Sequence, residues 1–405
     1  MKNYDVVIIG AGAAGMMCAI EAGKRGRKVL VIDHAKKPGE KIRISGGGRC
    51  NFTNIGTKFD KFLSLNPRFC ISALKRYSQH DFIKLVEQYE IAYHEKALGQ
   101  LFCDGSAQQI VDMLLREMED AGVELRLNTS VDRVERNENV GEDTEQGQYW
   151  IGLEHHEITA QSLVIASGAK SIPKMGATGF GYDIARQFDV PVTDTRPALV
   201  PLTFSDDTLD LVKPLSGISV ESTVRHQSKE LGKASFDEAL LFTHRGLSGP
   251  SILQISSYWR EGDEITADLA RGKNISDELK TMRSDAGKQS IANVLARLIP
   301  AKLAQMIVDK AGISGNLADQ NNAKLEQIGQ MVNAWRLKPA GSEGYRTAEV
   351  TLGGVETSAL NAKTMQAKNT DGLYFIGEVV DMTGWLGGYN FQWAWSSGWV
   401  CGQDC

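Results

Sequence analysis

Gly10-x-Gly12-x-x-Gly15, followed by an acid at Asp33, has the types and spacing to hold a diphosphate. Gly10 permits a tight turn, Gly12 lets a ligand approach the backbone, and Gly15 lets a helix pack closely on a strand. A helix opening at Ala13-Ala14 offers unpaired N–H groups and the positive end of its dipole to an anion. Asp33 stands about 20 residues on, where a carboxylate accepts from ribose hydroxyls. A glycine-rich turn in any α/β protein can share the three glycines. The apolar strand before them, the helix after them and the acid in register favour a dinucleotide held by Gly10, Gly12, Ala13, Ala14, Gly15 and Asp33.

FAD and NAD share this fingerprint, and the far end of the chain separates them. Gly377-Glu378 follows an apolar run, and Gly387-Gly388-Tyr389-Asn390-Phe391 opens a last helix. In two-dinucleotide flavoenzyme folds a strand-Gly-acid element meets the ribityl chain. The helix behind it points its N-terminus at the flavin edge that gains negative charge on reduction. Gly377, Glu378, Gly388, Tyr389, Asn390 and Phe391 are the candidates, with Asp381 as an alternative ribityl partner. A surface turn is the other reading, since Gly, Tyr and Asn are common there.

Ser45-Gly46-Gly47-Gly48-Arg49-Cys50-Asn51 is a further set. Three consecutive glycines cost backbone entropy, which close approach to a ligand explains. A flexible linker is the alternative, but structured segments flank the run. Ser45, Gly46, Gly47, Gly48 and Asn51 therefore join the cofactor candidates, with Lys41 before them, Val131 on a later strand and Ser167-Gly168 after another. Cys50 is a candidate catalytic residue; like Cys103, it also reads as a small core residue. Gly176 to Gly181 has glycines at nucleotide-loop spacing but no strand directly before it, so a loop beside the cofactor is expected. His244 and Arg245 lie in Phe242 to Pro250. A histidine can donate a proton near neutral pH and an arginine can hold an anion or carbonyl; a structural turn is the alternative.

The elements that must position these residues read as α/β. Residues 4–9, 13–25 and 28–32 form a strand, a helix and a strand, the start of a parallel sheet. Residues 68–90 and 106–121 have helical periodicity, and 125–127, 131–134 and 163–166 read as strands with a polar tip over 136–148. Near Arg196-Pro197 the pattern shifts to short strands and then to helices at 291–312 and 322–335. After Arg346 it returns to strand, turn and a helix at 390–402. The expected architecture is α/β: a two-dinucleotide-binding, Rossmann-like FAD domain over 1–195 and 346–405. A second domain, mostly β plus helical, is inserted at 196–345 to take the substrate.

Composition sets outer bounds. The chain has 405 residues, 42% hydrophobic and 23% charged, enough for an ample core. A net charge of -5 argues against a strongly basic nucleic-acid binder, though not against a local basic patch. The six cysteines are scattered without a C-x-x-C pair, so no metal site and no disulfide framework are expected, and a reducing cytoplasm fits. No apolar run reaches membrane-span length and no signal peptide is visible, so no membrane association is expected.

Taken together, the fingerprint, the Ser45–Asn51 run, Phe242 to Pro250, Thr351-Leu352-Gly353-Gly354-Val355 and Gly384 to Ala394 resemble the BaiN/RdsA family of NAD(P)/FAD-dependent oxidoreductases. The resemblance runs from end to end of the chain. Leu98 to Asp104 and Glu343 to Val350 resemble its RdsA-type branch. The family resemblance implies FAD, with NAD(P)H as external reductant, and reduction of conjugated C=C bonds. Its known substrates are steroid enones and a uracil ring in ribosomal RNA, and the branch resemblance points to the RNA. Asp33 stands where many flavoproteins carry Glu, and Ser167 where Thr is more usual. Both changes are conservative.

Overall fold

The computed structural model describes residues 2–136, 147–154, 156–228 and 232–405. Most of the expected polar tip over 136–148 lies outside the described residues. The chain forms two compact units, Met1–Arg196 with Val350–Cys405, and Pro197–Glu349.

In the first unit, β1 (Lys2–Ile9) buries Val6, Val7, Ile8 and Ile9 on both faces, as a strand covered on both sides requires. It leads into helix α1 (Ala13–Lys24), then into β2 (Val29–Ile32), which pairs parallel to it. On the other side of β1 runs the parallel strand His156–Ile165. The sheet order is Glu124–Arg126, β2, β1, His156–Ile165, Tyr149–Leu153, Val131–Arg136. Leu373–Phe375 pairs parallel with the end of His156–Ile165, so the last segment of the chain returns to the sheet that the first segment starts.

The last helix, Tyr389–Gly402, packs along α1. Gly398 makes this possible: a side chain there would overlap the Ala14 carbonyl. Trp393 and Trp395 are buried, and their indole N–H groups donate to the carbonyls of Gly377 (2.9 Å) and Phe52 (2.8 Å). They are packing residues. Cys18, Cys401 and Cys405 converge in the same interior, their sulfur atoms all within 4.8 Å of one another. The expectation of no metal site rested on sequence spacing, which does not register this grouping.

Two expected long helices are broken. Over 68–90, Ser78 caps a new helix: its N–H donates to Asp81 (2.7 Å), dividing Ile71–Arg76 from Gln79–Gln88. Over 291–312, Pro300 separates Ile291–Leu295 from Ala301–Lys310.

The second unit is an antiparallel sheet in the order Trp335–Leu337, Ile265–Asp268, Ser219–Ser228, Gly232–Thr243, Gly246–Ser248, Leu202–Thr203, Gly341–Ser342. Helices Ile275–Ala286 and Asn322–Asn333 pack on each other within it. Among the described residues of the whole chain, no helix is long and apolar enough to cross a membrane.

Candidate functional site

The three fingerprint glycines have different reasons to be glycine. A side chain at Gly10 or Gly15 would overlap a backbone carbonyl, that of Ala166 or of Gly10. Those two glycines let α1 start tight against the end of strand His156–Ile165. Gly12 has no such constraint. Its φ is −87°, and a Cβ there would meet nothing within 4 Å. It has neither a positive φ nor a neighbour that excludes a side chain. The fold does not need a glycine at 12, so close approach of a ligand to the backbone is the remaining reason for one. The first bond of α1 runs from the Met16 N–H to the Gly12 carbonyl (2.9 Å), so Ala13, Ala14 and Gly15 have no helical acceptor for their N–H groups. That is the donor set for a diphosphate, and these residues fit FAD.

Asp33 is tied to this turn. One of its oxygens accepts from the Ala11 N–H (2.7 Å), the other from the Ala35 N–H (2.8 Å). A carboxylate has about four lone-pair sites, so capacity remains for ribose hydroxyls. The Thr129 N–H donates to the Asp33 carbonyl (3.0 Å), which brings the start of Val131–Arg136 to the same end. Gly176 lies over His34, so the Gly176–Gly181 loop also reaches this end.

The C-terminal motif meets α1 from the other side. A Cβ on Gly377 would stand 2.8 Å from that of Ala14, in the first turn of α1. Beside it, Glu378 pairs with Lys41 and accepts from Ser171 Oγ (2.8 Å) and the Thr351 N–H (3.0 Å). Lys41 also donates to Ser171 Oγ (2.6 Å). Two predicted residues are thus one ion pair, held by Ser171 and Thr351, which the sequence reading did not place in the site. Their contacts span 27 to 337 residues, and no local spacing reports them. Gly46, Gly47 and Gly48 all take left-handed φ values (58°, 68° and 86°), a run that only glycine sustains readily. The run ends at Asn51, whose side-chain oxygen faces the Gly388 N–H (3.1 Å) at the start of the last helix. Ser167 and Gly168 follow directly on Ala166, against which Gly10 packs. Fingerprint, triple glycine and C-terminal motif therefore converge on one place.

Several candidates turn inward. Asn390 accepts from the Gly384 N–H (2.8 Å) and donates to the Gly384 carbonyl (2.9 Å), closing a turn. Tyr389 is buried against Phe62, and Phe391 stacks on Trp395. Asp381 is 3% exposed, accepts from the Leu65 N–H (3.0 Å), and burial pushes its carboxyl above the usual range. Both of its hydrogen bonds, from the Leu65 N–H and the Ser64 hydroxyl, fall on one oxygen, Oδ2. Cys50 needs a correction as a catalytic candidate. It is 0% exposed, and burial pushes its thiol far up. A neutral sulfur with no accessible surface is a core residue. His244 and Arg245 lie in the second unit, exposed at the turn between strands Gly232–Thr243 and Gly246–Ser248.

Fold and site together define a Rossmann-type FAD-dependent oxidoreductase. Residues 4–404 match the model of the HI0933-like protein Rossmann domain family, and the chain belongs to that family. It is 48% identical over 405 residues to the ribosomal RNA dihydrouridine synthase of Escherichia coli (strain K12), covering 100% of this chain and 98% of that one. It is 45% identical over 403 residues to the protein of the same name from Haemophilus influenzae, covering 99% and 98%. A more distant relative is the 3-dehydro-bile acid delta(4,6)-reductase of Clostridium scindens, 25% identical over 409 residues, covering 98% and 97%.

Proposed function

We propose that this protein reduces a uridine of ribosomal RNA to dihydrouridine, with FAD as its cofactor and NAD(P)H as the external reductant. The constraint-free Gly12 carries the cofactor assignment. Identity of 48% and 45% to two ribosomal RNA dihydrouridine synthases, over nearly all of each chain, supports the substrate.

When bound, the flavin supplies the hydride for the uracil C=C bond. A proton from a general acid completes the reduction, and the chain holds the reacting parts in place. Ala13, Ala14 and Gly15 offer N–H groups to the diphosphate, and Asp33 offers acceptors to the ribose. Glu378, fixed by Lys41, stands beside α1 for the ribityl chain. The N-terminus of Tyr389–Gly402 gives a positive dipole end to the ring edge that becomes negative. We assign residues 197–349 as the substrate domain, with His244 and Arg245 as its polar groups for the substrate. A steroid-type enone reductase is the second reading, favoured by the 25% identity to the bile acid reductase.

The test is expression in a bacterium whose ribosomal RNA lacks dihydrouridine because its own synthase gene is deleted. Restored dihydrouridine at a defined uridine supports the reading. An RNA left unmodified by well-expressed, flavin-loaded protein, alongside efficient enone turnover in vitro, replaces it with the second.

A further inference from the structure

Residues 36–76 hold 10 Lys and Arg against 2 Asp and Glu, a net charge of 10 − 2 = +8 in a chain whose total is -5. A surplus of like charge favours an anionic partner. Among the described residues only one of the ten, Lys41, forms an ion pair with a carboxylate. Of the others, Arg43 donates to the Pro38 carbonyl and to Gln108, and Arg76 to the Lys363 carbonyl, and among the described residues no carboxylate neutralises any of the nine.

Within this segment, 58–68 forms a strap that buries Phe62 and Leu63 and shows exposed Lys58, Phe59, Asp60, Leu65 and Arg68 with half-buried Lys61 among them. Leu65 is 74% exposed, the most of any large apolar side chain described, and Phe59 is 43% exposed. Their backbone is nevertheless fixed. Phe62-Leu63 pairs with Thr383-Gly384, the Lys61 carbonyl accepts from the Trp385 N–H (2.9 Å), and buried Asp381 accepts from the Leu65 N–H. Lys61 Nζ rests 4.1 Å over the Trp385 ring. The strap therefore lies along residues 381–385, which run into Gly388 at the candidate cofactor site.

We propose that this strap is the surface that holds the RNA: Lys58, Lys61 and Arg68 take phosphates flanking the target uridine, and Phe59 and Leu65 cover the base faces it leaves. The proposal rests on the reading of RNA as substrate. A base must leave its stack to reach a buried redox centre, which uncovers apolar faces on its neighbours. Single-stranded RNA is held by this combination, cations along the backbone and apolar or aromatic groups on the bases. An enone has no phosphates and gives Lys58, Lys61 and Arg68 no role.

The test uses full-length, flavin-loaded protein and an unmodified ribosomal RNA fragment, with binding measured against salt. Each lost phosphate contact lowers the slope of log K against log salt by about 0.7, so Lys58→Ala with Arg68→Ala lowers it by about 1.4. The charge-preserving pair Lys58→Arg with Arg68→Lys keeps the wild-type slope, which separates charge from misfolding. Leu65→Ser keeps the slope and weakens RNA binding at a fixed salt concentration by roughly tenfold, the loss of one base contact. If the wild type reduces RNA uridine, and the Lys58→Ala with Arg68→Ala pair matches it in slope and Leu65→Ser matches it in affinity, the strap is overturned alone. If the wild type binds no RNA, the substrate reading and the strap fall together.

Discussion

Gly12→Asp puts a carboxylate at the N-cap of α1. The backbone there, φ −87° and ψ −172°, is already in the extended region that N-cap residues adopt, and the new Cβ meets nothing within 4 Å. Asp exceeds Gly at an N-cap by only about 0.3 kcal/mol, and its charge at the positive helix end adds about 0.3–1 kcal/mol. The cofactor-free variant is therefore expected to be as stable as the wild type or slightly more so. FAD is another matter, because the same carboxylate stands where the diphosphate must lie. With free FAD at 100 times its Kd, binding stabilises the wild type by about 2.7 kcal/mol, and the variant loses all of it. The assay is urea or thermal unfolding of acid-stripped protein, with and without FAD, beside the flavin absorbance of protein as purified. Wild type should be yellow, with FAD released by heat or acid, and the variant colourless. Gly15→Ala is the counter-case, where the side chain overlaps the Gly10 carbonyl and the cofactor-free fold loses about 1–3 kcal/mol. A yellow, fully loaded Gly12→Asp protein, or one whose cofactor-free form is severely destabilised, refutes the reasoning.

Lys41→Met leaves Glu378 with only Ser171 and the Thr351 N–H, and at 34% and 19% side-chain exposure the broken pair should cost about 1–2 kcal/mol in urea unfolding; no change in midpoint or flavin content would show the pair to be idle. At Glu124 burial raises the carboxyl, but hydrogen bonds from Lys2, Arg126 and Tyr4 outweigh it and hold the group at about 2. A lowered folded pKa gives stability that is present above 4.5 and lost as pH falls towards about 2, so Glu124→Gln should flatten the acid limb of the urea midpoint in that window; an unchanged limb contradicts the network. Cys50→Ala should leave turnover per bound flavin intact, because the sulfur has no accessible surface; lost turnover at full flavin content would return Cys50 to the chemistry.

The first βαβ unit was legible because everything it needs is local: an apolar run for the strand, glycines at fixed offsets, and an acid in register. The C-terminal motif was legible as glycines and an acid at a strand end, but its polar residues divide by burial, which spacing does not report. Asn390 and Asp381 look like ligand groups in sequence and also make hydrogen bonds within the protein, which spacing does not show. Cys50 misled in the same way, since a thiol beside three glycines suggests reactivity until its burial is known. Ser171 and Thr351 escaped notice because their partner, Glu378, is 207 and 27 residues away. The break at Ser78 was written in the Ser-x-x-Asp pattern, and an apolar periodicity running across it hid the cap.

The central claim is that reduced flavin in this protein gives its hydride to a uridine in RNA. Its most direct test is a single anaerobic turnover. Enzyme reduced with one equivalent of NADPH is mixed with ribosomal RNA lacking dihydrouridine, flavin absorbance is followed, and the RNA is then mapped by mass. The account predicts flavin reoxidation matched by one uridine per flavin gaining two hydrogens at a defined position. Flavin that stays reduced with RNA but is reoxidised by a steroid-type enone would contradict it.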